Sequence, residues 1–138
     1  MTLLTHETQF AREIRRDMAQ DIVWFTQKYL RDEDGAPFKL KDFHIEGLRL
    51  CVSDEMRVLI EWPAAFGKST HVAKGYPIWL VCMNPNVQIL LGCQNQGHAS
   101  SRLAVIKSEL EGNEELINDF GPFVGTDMWR DDEINVAR

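Results

Sequence analysis

Apolar side chains recur every three or four residues from Thr8 to Arg31, at Phe10, Ile14, Met18, Ile22, Phe25 and Tyr29. Arg12, Arg15, Arg16, Gln20, Asp21, Gln27 and Lys28 stand between them, so the pattern predicts one amphipathic helix that buries a single stripe. Charge, glycine and proline in Arg31–Pro37 end it. A second helix is predicted over Leu40–Val52, with Phe43, Gly47, Leu48, Cys51 and Val52 on one side. Met56–Glu61 and Val87–Gly92 are short aliphatic runs, apolar on both faces, and predict buried strands of a parallel sheet. Between them a glycine-containing turn leads into a helix over Lys68–Lys74. Gly75 and Pro77 interrupt that helix, which resumes over Ile78–Met83 before Asn84-Pro85-Asn86 turns the chain. Ser100 or Ser101 is placed to cap a helix carrying Leu103, Ile106 and Leu110, and Asn113 to cap another with Glu114 and Glu115 in its first turn. Beyond Gly121-Pro122 a loop is expected, with a third strand at Ile134–Val136. The order helix, strand, helix, strand, helix predicts an α/β sandwich whose sheet is not finished within these residues.

Composition narrows this picture little. At 138 residues, 44% hydrophobic and 26% charged, the chain has material for one ordinary core. A formal charge of −6 gives no whole-surface attraction to DNA or to an anionic membrane. The apolar runs fall short of the roughly 20 residues of a spanning helix. Phe10–Arg16 is charged where a signal peptide would be apolar. Cys51, Cys82 and Cys93 are too far apart for a CxxC metal site, and each lies in an apolar stretch, so buried thiols are expected. His71 and His98 have no partner at metal-ligand spacing and are expected at the surface.

The chemistry concentrates in EWPAAFGKST, which follows the first predicted strand and opens a helix. A phosphate cradle needs a backbone that can wrap an anion, a helix N-terminus aimed at it, a flexible cation and a hydroxyl for magnesium. Gly67 permits the close approach, Lys68 reaches the β- and γ-phosphates, and Ser69 supplies the magnesium hydroxyl. Trp62, Pro63, Ala64, Ala65, Phe66 and Thr70 complete the predicted nucleotide-binding loop, and MgATP is the expected ligand.

Strand, shortened phosphate loop, Tyr-Pro-Ile-Trp-Leu, Asn-Pro-Asn, second strand and a Gln-Asn turn into a helix together resemble the N-terminal ATPase part of bacteriophage large terminases, the motors that pump viral DNA into the procapsid. LKDFH upstream is similar to the aromatic-plus-Gln/His element that such proteins carry near the adenine, and the tail FGPFVGTDMWRDDEINVAR is similar to the segment after their P-loop half. The resemblance implies a partial RecA-like three-layer P-loop NTPase sandwich with a mostly parallel sheet over residues 37–138, preceded by an N-terminal helix and linker over residues 1–36. It implies that Phe43 packs near the base and that His44 stands at an adenine-reading position. It further implies ATP and Mg2+ as cofactors, and double-stranded DNA, a portal protein and a small terminase subunit as partners. A homo-oligomeric ring in the longer protein, the cytoplasm of an infected bacterium and no membrane association complete the expectation. Another RecA-like motor such as a helicase, or a non-catalytic terminase-derived binding module, fits the same residues.

Three features depart from the family pattern. Ala64 and Ala65 occupy positions where an arginine often stands, Trp62 replaces a small residue, and no aliphatic run ends in Asp-Glu. Asp119 follows Leu116-Ile117-Asn118, and Asp131-Asp132-Glu133 follows Trp129-Arg130, neither in a predicted buried strand. With the family's nuclease domain also missing, the chain is expected to be a piece of a longer motor, binding nucleotide without turning it over. Gln94 and Asn95, at the end of the second predicted strand, are candidates for a role near the γ-phosphate. Arg102 and Arg130 are candidate arginine fingers.

Overall fold

A computed structural model describes the backbone of residues 2–136 and the side chains of residues 9–125 and 129–136. Met1, Ala137 and Arg138, at the outer ends of the two expected segments, lie outside the described residues. The elements run α1 (Thr2–Met18), α2 (Ile22–Tyr29), α3 (Asp42–Cys51), α4 (Lys68–Thr70), a π-helical segment (His71–Gly75), α5 (Tyr76–Met83), α6 (Gln96–Gly112), α7 (Glu114–Phe120), β1 (Val124–Trp129) and β2 (Ile134–Val136). The expected RecA-like α/β sandwich with a mostly parallel sheet is therefore not what forms. The described residues are mostly helical, and their one sheet is the antiparallel hairpin β1–β2, with an irregularity in its register.

The reason lies in the two aliphatic runs that were expected to be strands. A β-strand is stabilised by its neighbours' hydrogen bonds and side chains, and neither run has a neighbour. Residues 57–63 and 87–93 pass as irregular chain, leaving Met56 98%, Leu59 81% and Leu90 96% exposed. The helices bury their apolar faces on one another instead. Phe25 and Tyr29 of α2, Ile78 of α5, Ile106 and Leu110 of α6, Leu116 of α7 and Phe123 form the core, joined by Ala19 from the α1–α2 turn. Phe25, Tyr29 and Phe120 pack edge-on or tilted, with centroids 5.1–6.2 Å apart. Asn113 caps α7 through Leu116 N–H as expected and also donates to the Tyr29 carbonyl at 2.8 Å. Helix α6 starts earlier than expected: Asn95, not Ser100 or Ser101, accepts from His98 N–H and caps it.

The first predicted helix is broken in two. Tight turns at Gln20 and Asp21 close α1, and the Asp21 carboxylate accepts from Val23 N–H to start α2. Only the second half buries the expected stripe. In α1, Phe10, Ile14 and Met18 are 66%, 45% and 47% exposed, and the less exposed face carries Arg12 and Arg15 and leads to the buried Ala19 in the turn. Arg15 forms a two-pronged bond to Asp119 on α7, at 2.8 and 2.7 Å. Tyr29 Oη donates to the same carboxylate at 2.6 Å, and Arg16 donates to the Asp119 carbonyl.

Burial alone would push the Asp119 carboxyl up, but hydrogen bonds from Arg15 and Tyr29 with the Arg15 charge outweigh it and hold the group below its ordinary value. A carboxyl lowered by folding contributes stability above its unfolded value near 3.8, and that stability is lost as pH falls further. Asp119→Ala should cost about 3 kcal/mol in chemical denaturation at pH 7, because it strands Arg15 and Tyr29, and Asp119→Asn should flatten the acid limb of the stability–pH profile. On the same axis, Phe25→Ala should cost about 3–5 kcal/mol, whereas Phe10→Ser should change stability by less than about 0.5 kcal/mol. A large loss on Phe10→Ser would mean that the α1 stripe is covered.

Candidate functional site

Pro63 to Phe66 form a turn, closed by Phe66 N–H to the Pro63 carbonyl at 3.3 Å, in which Ala65 takes the left-handed conformation at φ +66°. Such a backbone at a non-glycine residue is held by its surroundings at a cost on the order of 1–3 kcal/mol and is a mark of functional loops. Gly67 follows, also left-handed (φ +88°), and α4 begins at Lys68 with no side chain capping it. The first-turn N–H groups of Lys68, Ser69 and Thr70 thus have no carbonyl one turn back, as at any helix start. Glycine at 67 is required twice over. Beyond its φ, a Cβ there would lie 2.9 Å from His71 Cδ2 and 3.3 Å from His44 Nε2.

Gly75 and Pro77 do not interrupt the following helix, contrary to expectation. The chain continues through the π-helical segment into α5, and Pro77 follows directly on the wider π turn, where the i−5 bonding from Tyr76 N–H to the His71 carbonyl has already replaced the regular ladder. The π-helical segment buries His71, 4% exposed, where a surface histidine was expected. His71 packs edge-on against Phe38 and His44, each 4.8 Å between centroids, and its Nδ1 has no hydrogen-bond partner. Burial, helped by His44, pushes its pKa down to about 4, so the ring is neutral at pH 7.

Helix α3 lies alongside the loop and brings Phe43 and His44 to it. The buried His44 ring accepts from Lys41 N–H at Nδ1 (3.0 Å) and contacts the Phe66 carbonyl through Nε2 at 2.6 Å. Trp62, unusual at a loop start, lies edge-on to both Phe43 and His44, each at 5.3 Å. A Cβ at Gly47 would fall 2.5 Å from Trp62 Cζ2, so Gly47 is the slot in α3 that admits the indole. Phe43 and Phe66 pack at 5.6 Å, with Phe66 47% exposed.

Lys68 and Ser69 are exposed, and Lys68 has no hydrogen-bond or ion-pair partner among the described residues. Beside Lys68 opens a cleft of about 350 Å³, walled by Cys51, Val58, Ile60, Val72 and Tyr76 with Glu55 at its rim. A larger groove of about 730 Å³, between α5, α6, residues 86–91 and β2, contains none of the loop residues. The other candidates form no hydrogen bond or ion pair with the loop among the described residues. Gln94 and Arg102 are exposed, Asn95 is occupied in capping α6, and Arg130 pairs with Asp132 and Glu133 on the hairpin. Cys93 is exposed rather than buried, while Cys51 and Cys82 are half-buried with thiols pushed up by desolvation.

Among the described residues, no group of three or more His, Cys, Asp and Glu side chains could hold a metal ion, and no helix is long and apolar enough to cross a membrane. Asp119 is consumed by Arg15 and Tyr29, and Asp131 to Glu133 are exposed on the hairpin turn. Sequence reasoning missed His71 and the Gly47–Trp62 fit. The signal for the second was a glycine on the inner face of α3, where an apolar side chain would otherwise be expected.

Because His71 stays neutral in the folded chain down to about pH 4 while its ordinary value is 6.5, the unfolded chain gains the proton first as pH falls. Stability should therefore decline between about 6.5 and 4, and His71→Phe should remove that decline in denaturant titrations run across the window.

Compared with known protein families, with curated protein sequences and with solved structures, the chain finds no match.

Proposed function

We propose that this chain is a nucleotide-binding element of a DNA-packaging motor of the large-terminase kind, holding the triphosphate of MgATP at Gly67, Lys68, Ser69 and Thr70. The observation that carries the reading is the left-handed Gly67 at an uncapped helix start, followed directly by a lysine with no partner of its own. Backbone N–H groups at such a start favour an anion through their dipoles, and Lys68 adds a mobile full charge. The left-handed backbone at Ala65 supports a loop held in a special shape. A bound nucleotide would bring its magnesium with it, and Ser69 would be the one side chain of the loop to ligate the ion.

In the complete motor, hydrolysis of ATP by water would drive translocation of double-stranded DNA, within a ring seated on the portal and served by a small subunit. The engagement of Asp119 favours a second reading, in which the chain binds nucleotide without turning it over. A general base must be free to reach its water, and this carboxylate is held on three sides.

Calorimetric titration with MgATP tests the proposal. The wild type should bind, and Lys68→Ala should weaken binding by at least about tenfold, the loss of a hydrogen bond between charged groups. Gly67→Ala should weaken it comparably, and phosphate release should stay at background in every variant. Absence of binding by the wild type would remove the phosphate-loop reading, and robust release would remove the non-catalytic one.

A further inference from the structure

We infer that His44 positions the phosphate loop rather than reading the base, and that the site accepts nucleoside triphosphates without selecting among bases; the inference rests on the phosphate-loop reading. An imidazole can read a purine edge only with a free ring nitrogen. In His44 neither is free. Lys41 N–H donates to Nδ1 at 3.0 Å, which puts the proton on Nε2, and Nε2–H then donates to the Phe66 carbonyl at 2.6 Å. The ring is 9% exposed and hemmed in by Phe43, Trp62 and His71.

The bond ends at the peptide unit that joins Phe66 to Gly67. In a planar trans peptide the C=O and the following N–H point in opposite directions. Drawing the Phe66 carbonyl toward α3 therefore turns the Gly67 N–H away from α3, and keeps a carbonyl dipole from facing the place an anion would take. Left untied, a glycine-bounded peptide unit flips at little steric cost. His44 thus fixes which end of this dipole the ligand meets. What the loop offers a base is the exposed ring of Phe66, and stacking on an aromatic face tolerates every base.

The test uses four probes, MgATP, MgGTP, MgCTP and inorganic tripolyphosphate with magnesium, against the wild type, His44→Phe and His44→Gln. The three nucleotides should bind the wild type within a few-fold of one another. His44→Phe keeps the ring volume and loses the donor, so it should weaken all four probes by a similar factor, about tenfold. His44→Gln retains an N–H donor and should recover part of the loss. Loss confined to ATP, with tripolyphosphate unaffected, would overturn the inference alone. A wild type that binds none of the four would overturn the phosphate loop and this inference together. Nitrogen-15 NMR of the wild-type ring needs neither ligand nor variant, and should find the Nε2-protonated form with a slowly exchanging Nε2 proton. An Nδ1-protonated or freely exchanging ring would overturn the positioning role whether or not nucleotides bind.

Discussion

The fold is organised around one buried carboxylate. Asp119 sits 2% exposed near the end of α7, where an unpaired charge would cost several kcal/mol. Three groups answer it, from Arg15 on α1, Tyr29 on α2 and the adjacent Asn118. Meeting that demand decides how α1 lies. With Arg12 and Arg15 on the less exposed face, the apolar positions Phe10, Ile14 and Met18 are on another side of the helix and face solvent. Electrostatic pairing thus overrides the hydrophobic stripe in α1, while Ile22, Phe25 and Tyr29 obey it in α2.

The same core anchors the loop from behind. Helix α5 contributes Ile78 to the core, and Trp79 donates to the Ala19 carbonyl at 2.8 Å. Lys74, in the π-helical segment, reaches Glu109 of α6 at 3.0 Å. The helix that begins at Lys68 is therefore fixed at its far end and open at its near end. Between the two, the π-helical segment adds the extra residue per turn that such bulges carry, and they occur often beside functional groups. Here it seats His71 beneath Gly67. From the other side α3 presses Phe43 and His44 onto Trp62 and Phe66.

Local features were legible in the sequence. The glycine before a lysine at a helix start, the helix carrying Phe43 and His44, and the Asn113 cap all depend on nearest neighbours in the chain, and these are the parts found as expected. The sheet was not legible, because a run such as Met56–Glu61 states only that a segment is aliphatic. Whether it becomes a strand depends on a partner that periodicity does not name. Val124–Trp129 shows the converse. Its mixed Val-Gly-Thr-Asp-Met-Trp pattern gives a weak strand signal, yet it pairs with Ile134–Val136. The phase of α1 failed for the electrostatic reason above, and His71 because a lone histidine carries no signal of burial.

If the loop holds a phosphate as proposed, it does so with groups that the carboxylate hub does not use. The groups offered to an anion are backbone N–H groups at Gly67 to Thr70 and the free ammonium of Lys68. All of them are supplied by loop geometry, and none is needed by the core. The well-buried carboxylate is Asp119, and it cannot serve two masters. Freeing it to accept a proton from water would leave Arg15 without its partner and uncouple α1 from α7. Hydrolysis within these residues would have to draw on exposed carboxylates such as those at Asp131 to Glu133, whose position on a hairpin turn is not fixed by the core. Asp119 therefore serves the fold, and under the proposed reading any turnover would need a different carboxylate.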